Sequence, residues 1–130
     1  MLQLAAKDTI FYEEIKEAYP YLYEIYSKSY NFDSCIILLE EYKSIIHKND
    51  FIATLSLYKI YANLYAKLEQ YDQCIYYHTV YFELAKRTIP DTNRHILALI
   101  QIGSAYCNAY IDSGDYKNKH QALHYFERAM

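Results

Sequence analysis

Hydrophobic residues between positions 58 and 85 recur with the period of an α-helix, in two successive runs. The first run is Tyr58, Tyr61, Ala62, Tyr65 and Leu68, and the second is Tyr71, Cys74, Ile75, Tyr77, His78 and Tyr81. Apolar residues three and four positions apart mark one face of a helix, and a break at Glu69-Gln70 separates the two runs. Asp72 lies in the first turn of the second run, where the helix dipole favours an anion. The stretch therefore predicts two antiparallel helices joined by a tight turn.

The same pattern is present earlier in the chain, at a shift of 39. This shift, without gaps, aligns Tyr19 with Tyr58, Tyr26 with Tyr65, Asp33 with Asp72, Cys35 with Cys74 and Tyr42 with Tyr81. A third copy follows. A shift of 41 aligns the first run with Leu99, Ile102, Gly103 and Tyr106, and a shift of 48 aligns the second run with Ala122, Tyr125, Phe126 and Ala129. The third copy therefore has seven extra residues between its two helices. Gly103 falls at a small position, which predicts a close helix contact.

Three helical hairpins, at about residues 9–47, 50–87 and 92–130, are predicted to form one domain over residues 1–130. The expected N-caps are Asp8-Thr9, Asn49-Asp50 and Asp91-Thr92, and Pro90 ends the second hairpin. Two Gly and two Pro are too few for the turns of an all-β fold. The fold class is therefore predicted to be all-α, with six to seven helices.

Two positions leave the helix boundaries open. Pro20 either kinks a single long first helix, which we favour because the later helices are equally long, or divides it near Ala18. Asp112-Ser113-Gly114-Asp115 is the strongest loop signal in the chain, and predicts that the preceding helix ends at about Ile111.

The order of large and small residues resembles the tetratricopeptide repeat, over about residues 9–130. In the second hairpin the pattern is carried by Ala62, Tyr65, Tyr71, Cys74 and Tyr81, and in the third by Gly103, Tyr106, Ala122 and Ala129. The first hairpin departs from it, with Tyr23 at a small position. The period of 39–41 exceeds the usual value of about 34. In this respect the chain is similar to bacterial peptide-pheromone receptors and to cell-polarity and spindle-orientation adaptors, and the run LAKRTIPD at 84–91 is similar to the repeat junctions of the adaptors. The resemblance implies an antiparallel helix-hairpin solenoid.

The resemblance also implies that the first helix of each hairpin lines a concave face that binds a protein or an extended peptide. The candidate binding residues on that face are Glu24, Lys59, Asn63, Lys67, Ser104 and Asn108. An Asn amide offers a donor and an acceptor, enough to pair with a peptide backbone unit; the alternative is that these are solvated polar residues on an exposed helix face. Lys59 and Asn63 also match half of the clamp that holds a chaperone's carboxylate tail, but Ile100 and Ser104 stand where a Lys and an Arg would complete it. We therefore expect a scaffold, an adaptor or a regulatory receptor for a signalling peptide.

Composition argues against several other classes of function. The net charge is −3 without a basic run, which disfavours a nucleic-acid surface, and no signal peptide or membrane span is evident. Three Cys without paired spacing favour a reduced, cytoplasmic protein. His120 and His124 lack the further ligands of a metal site, and no catalytic motif or phosphate-binding loop is present. We expect no enzymatic activity, no metal and no cofactor.

A structural role is the alternative function. No polar capping helix follows Met130, and solenoids normally need one. This predicts either a homodimer formed through residues 122–130 or a chain that is a fragment of a longer solenoid, with a spacing or self-associating role.

Overall fold

A computed structural model describes residues 11–130, which form six α-helices and no strand. They are α1 (Tyr12–Lys28), α2 (Phe32–Ile45), α3 (Phe51–Lys67), α4 (Tyr71–Thr88), α5 (Thr92–Ser113) and α6 (Tyr116–Ala129). The predicted all-α class, built from helical hairpins, is confirmed. The predicted cap at Asp8-Thr9 lies outside the described residues. The chain divides into two compact units, and the boundary falls within α3, between Ile60 and Tyr61.

Helix α1 runs through Pro20 without interruption, so the prediction of a single helix is confirmed. Helix α5 extends to Ser113, and the predicted end at about Ile111 is wrong. Gly114, at φ 72°, is its left-handed C-cap, and Asp115 is the N-cap of α6. The insertion in the third hairpin therefore mostly lengthens the helix, to 22 residues against 17 in α3, instead of forming a loop.

Asparagine and aspartate side chains cap four helices, because their oxygens accept from backbone N–H groups that the first turn leaves without a partner. Asn31 accepts from the N–H of Ser34, and Asp50 from that of Ala53. Asp91 accepts from Asn93, and Asp115 from Lys117. The caps predicted at Asp50 and Asp91 are confirmed.

In the first unit, α1 packs against α2, and aromatic rings fill the contact. Tyr19 stacks on Tyr42 at a centroid distance of 4.8 Å, and its hydroxyl donates to Glu41 at 2.7 Å. At the end of the hairpin, the carboxylate of Asp50 accepts from Tyr12 Oη and Lys16 Nζ, both at 2.8 Å. Burial raises the pKa of Asp50. The hydrogen bonds that it accepts, first of all from Lys16, lower the pKa by more, so that it lies below its usual value. Asp50 thus ties the start of α3 to α1.

In the second unit, α5 packs against both α4 and α6. Its core consists of Phe82, Ala98, Leu99 and Ile102, with Tyr81, Tyr106, Tyr125 and Ala129 packed around it. Tyr65 stacks on Tyr77 with centroids 5.7 Å apart, and Tyr106 stacks on Tyr125 at the same distance. The shift of 41 aligns Tyr65 with Tyr106, and the shift of 48 aligns Tyr77 with Tyr125. The sequence alignment of the second and third hairpins is therefore confirmed by equivalent contacts.

The repeat is also present in the backbone of the turns. Tyr30 and Glu69 are aligned by the shift of 39, and both adopt φ 58°. The N–H groups of Tyr30 and Asn31 donate to Ser27 and Tyr26, and those of Glu69 and Gln70 donate to Ala66 and Tyr65. Each pair of bonds is a Schellman motif, in which the left-handed residue is usually glycine. The first two hairpins thus end their first helices in the same way, with a non-glycine residue where the third uses Gly114.

We expect Glu69→Gly to stabilise the protein by about 0.5–1 kcal/mol, because glycine adopts positive φ without the penalty that a Cβ imposes. Glu83→Gly is the matched control: Glu83 is exposed inside α4, and glycine there should cost about 1 kcal/mol. Urea unfolding of both variants measures the difference. Destabilisation by both substitutions would show that the conformation of Glu69 carries no strain.

Candidate functional site

All six candidate binding residues are exposed, but the two units divide them. Glu24 on α1 and Lys59 on α3 belong to the first unit. The second unit contains Asn63 and Lys67, one turn apart at the end of α3, and Ser104 and Asn108, one turn apart on α5. Within the second unit, the structure thus places two pairs of polar side chains, each on one face of a helix.

The exposed face of α5 carries three aliphatic side chains among polar ones. Leu97, Ile100 and Ile111 are 55%, 40% and 75% exposed, and they flank Ser104 and Asn108 along the helix. The opposite face of α5 is buried, through Ala98, Leu99, Ile102, Ala105 and Ala109. From Leu97 to Ile111 the exposed face is about 21 Å long, at the rise of about 1.5 Å per residue of an α-helix. A helix face that is only solvated is normally polar, whereas this face also exposes Leu97, Ile100 and Ile111.

A cleft of about 450 Å³ lies at the carboxyl-terminal end of this face. The turn between α3 and α4, the end of α5 and the start of α6 form it. Its lining combines three carboxylates, three amides and three other side chains: Glu69, Asp72, Asp112, Gln70, Gln73, Asn118, Tyr71, Ser113 and Ala109. Asp112 lies one helical turn after Asn108, so the cleft continues the exposed face of α5.

The cleft is electronegative, since three of its nine lining residues are acidic and none is basic. Its charge acts on the Tyr71 phenol, whose pKa is raised by desolvation and then by the negative charges of Glu69 and Asp112. A cationic group is the complementary ligand for such a cleft. Tyr71 adds an aromatic ring to its wall, and such a ring attracts a cation over its face.

Sequence reasoning missed this cleft. The sequence pattern places Glu69 and Asp112 in two separate turns, and Asp72 only at a helix start. Nothing in their spacing shows that the two turns are neighbours, because that depends on how α4 packs against α5. The seven-residue insertion is the available signal: it lengthens α5 and so extends Asp112 towards the α3–α4 turn.

Two of the three cysteines are buried, and the two histidines that the sequence analysis considered as metal ligands are exposed. Cys35 and Cys74 are buried, and burial raises the pKa of the Cys74 thiol to about 11, whereas a reactive thiol needs a lowered pKa. His120 and His124 are exposed on α6. Among residues 11–130, no three His, Cys, Asp or Glu side chains come together as potential metal ligands.

Comparison of the chain with profiles of known protein families, with curated proteins and with solved structures finds no match. None of the helices formed by residues 11–130 has both the length and the apolar character needed to cross a membrane.

Proposed function

We propose that the chain is a tetratricopeptide-like binding module that holds an extended segment of a protein or peptide on the exposed face of α5. The observation that carries this proposal is the row of exposed aliphatic side chains at Leu97, Ile100 and Ile111, with Ser104 and Asn108 between them. Exposed apolar side chains grouped in one patch mark interaction sites. The function is binding, as in a scaffold, adaptor or regulatory receptor, and not catalysis.

The dimensions of the face define the segment that would bind. An extended chain advances about 3.3 Å per residue, so a face of about 21 Å accommodates about six residues. Aliphatic side chains of the segment would lie on Leu97 and Ile100 at one end and on Ile111 at the other. The Asn108 amide would pair with a backbone unit between them. Asn63, at the end of α3 in the same unit, is a second amide proposed for this role.

The cleft adds a preference in charge. Because it follows Ile111 directly and contains Glu69, Asp72 and Asp112, a Lys or Arg at the corresponding end of the segment would lie among carboxylates. The preferred segment is therefore aliphatic with a basic residue at one end.

The self-association alternative is supported less well. It requires an accessible surface on residues 122–130, but Tyr125 stacks on Tyr106, and Ala129 packs on the core around Phe82. The Phe126 ring lies against Gly103. These side chains are already used within the unit. Leu123 and Met130 are the large apolar side chains that this segment leaves exposed, against three on the exposed face of α5.

The proposal can be tested by selecting peptides of about ten residues from a random display library and titrating them calorimetrically. We expect the selected peptides to combine aliphatic residues with Lys or Arg. Asn108→Ala and Asn63→Ala should weaken binding by about 5- to 150-fold, since a lost hydrogen bond to a buried backbone group costs about 1–3 kcal/mol.

Glu83→Ala, on the exposed side of α4, is the control and should bind normally. Asp112→Asn should weaken only the peptides that carry a basic residue. If the selected peptides bind Asn108→Ala and Asn63→Ala as tightly as the wild type, the binding surface lies elsewhere. The same conclusion follows if only Glu83→Ala loses binding.

A further inference from the structure

Two cationic side chains converge on one aromatic ring in the second unit. The guanidinium carbon of Arg128 lies 5.5 Å from the centroid of the Phe82 ring, and Lys86 Nζ lies 5.9 Å from it. Phe82 is only 5% exposed and belongs to the core with Leu99 and Ile102, so the ring is a fixed support. Because the two distances are measured to the same centroid, the two cations lie no more than 11.4 Å apart (5.5 Å plus 5.9 Å).

Neither cation has an anionic partner in the described chain. Lys86 and Arg128 take part in no ion pair among residues 11–130, where Lys16 forms the ion pairs with Glu13 and Asp50. Arg128 also stacks over the Tyr125 ring, at 5.3 Å from its centroid. A guanidinium stacked on rings keeps its planar N–H edge available for a carboxylate. Arg128 therefore lies over two rings and forms no ion pair within the described residues.

Further basic residues extend from Arg128 along the outer face of α6. His124, His120 and Lys117 are exposed and lie four, eight and eleven residues before Arg128, which keeps them on one face of the helix. Helix α6 contains three of the thirteen Lys and Arg residues of the chain but one of its sixteen Asp and Glu residues, Glu127. Its net charge is thus +2, in a chain whose net charge is −3.

We propose that this basic patch, formed by Lys86, Lys117, His120, His124 and Arg128, docks an acidic segment of a partner protein. The inference goes beyond the proposed function, since the patch lies on α4 and α6 and not on the exposed face of α5. The Arg128 guanidinium would hold one carboxylate through two parallel N–H···O bonds, and Lys86, over the same Phe82 ring, would attract a second. From Lys117 to Arg128 the patch is about 16 Å long, which corresponds to about five residues of extended chain.

Two other anionic partners, a membrane surface and a single-stranded nucleic acid, fit the patch less well than the carboxylates of a protein segment. A membrane-surface helix buries an apolar face in the lipid, but the apolar face of α6 packs on α5, and only Leu123 and Tyr116 leave large apolar surface exposed along the helix. A single-stranded nucleic acid needs open aromatic rings on which bases can stack. The Phe82 ring is buried, Arg128 covers the Tyr125 ring, and Lys119 lies over the exposed Tyr116 ring. Acidic side chains need only the charges and N–H edges that the patch offers.

The test is the fluorescence anisotropy of a labelled hexaglutamate peptide at about 0.05 M salt, where exposed charges act over more than about 10 Å. The double variant Lys86→Gln/Arg128→Gln should bind about tenfold or more weakly than the wild type, because it removes the charge-assisted hydrogen bonds. The double variant Lys43→Gln/Lys48→Gln removes the same charge from exposed residues of the first unit. It should bind within about twofold of the wild type. Circular dichroism melting confirms that both variants fold.

An equal loss in both variants would show that net charge alone attracts the peptide, and would overturn the proposal. So would the absence of binding by the wild type, or tighter binding to phosphatidylserine vesicles or to a single-stranded oligonucleotide than to the peptide. Ile100→Asp, which disrupts the exposed face of α5, should leave hexaglutamate binding intact. Failure of the basic patch is thereby distinguished from failure of the peptide-binding face.

Discussion

Cys74→Arg should abolish the cooperative unfolding of residues 61–130, whereas Cys74→Ala should be nearly silent. The side chain of Cys74 is 3% exposed, in the first turn of α4. Its surroundings disfavour charge strongly enough to raise the thiol pKa to about 11. A guanidinium without an anionic partner costs several kcal/mol at such a position, and a small domain is stable by only about 5–15 kcal/mol. Alanine keeps the small volume and introduces no charge.

Thermal unfolding followed by circular dichroism, with near-ultraviolet signals for the tyrosine stacks, measures both variants. Cys74→Ser serves as a second control, because it adds a polar group of similar size without a charge. Equal melting temperatures for the wild type and the Arg variant would contradict the burial of Cys74 between helices.

Much of the fold could be predicted because it is encoded locally. The helical period, the caps at Asp50 and Asp91 and the break at Glu69-Gln70 each depend on residues close together in sequence. The internal repeat also predicts contacts between helices, which a single segment cannot, since aligned hairpins should make equivalent contacts. The stacks of Tyr65 on Tyr77 and of Tyr106 on Tyr125 are such contacts.

The errors arise where local signals compete. Asp112, Ser113 and Gly114 all favour turns, which predicts an early end for α5. However, only Gly114 adopts positive φ, while Ser113 remains helical and its hydroxyl donates to the carbonyl of Ala109. A serine can satisfy a carbonyl of its own helix in this way, so it does not have to end the helix.

The site was less predictable than the fold, for a physical reason. Exposure of Ser104 and Asn108 follows from helical periodicity, which places them opposite the buried Leu99 and Ile102. The acidic cleft and the cations over Phe82 depend on which helices are neighbours and how they are offset. That information lies in the packing of α4, α5 and α6, and not in the period of any one of them.

Gly103 on α5 lies directly against the Phe126 ring of α6. A Cβ added to Gly103 would lie 2.7 Å and 2.9 Å from two ring carbons of Phe126. Real Cβ atoms do not approach other carbons so closely, so any side chain at this position must displace the ring. Helix propensity acts in the opposite direction, since alanine and leucine are each favoured over glycine by roughly 1 kcal/mol.

We therefore expect Gly103→Leu to destabilise the second unit by up to about 2 kcal/mol, because overpacking a close helix contact costs about 1–3 kcal/mol and the gain in helix propensity offsets about 1 kcal/mol of it. Gly103→Ala should be milder, since the half-buried Phe126 ring can shift by a small distance. The decisive measurement is a double-mutant cycle with Phe126→Ala, in urea unfolding. Once the ring is removed, Gly103→Ala should stabilise by about 1 kcal/mol, the full propensity gain. If Gly103→Ala has the same effect with and without the ring, the Phe126 contact does not explain the glycine.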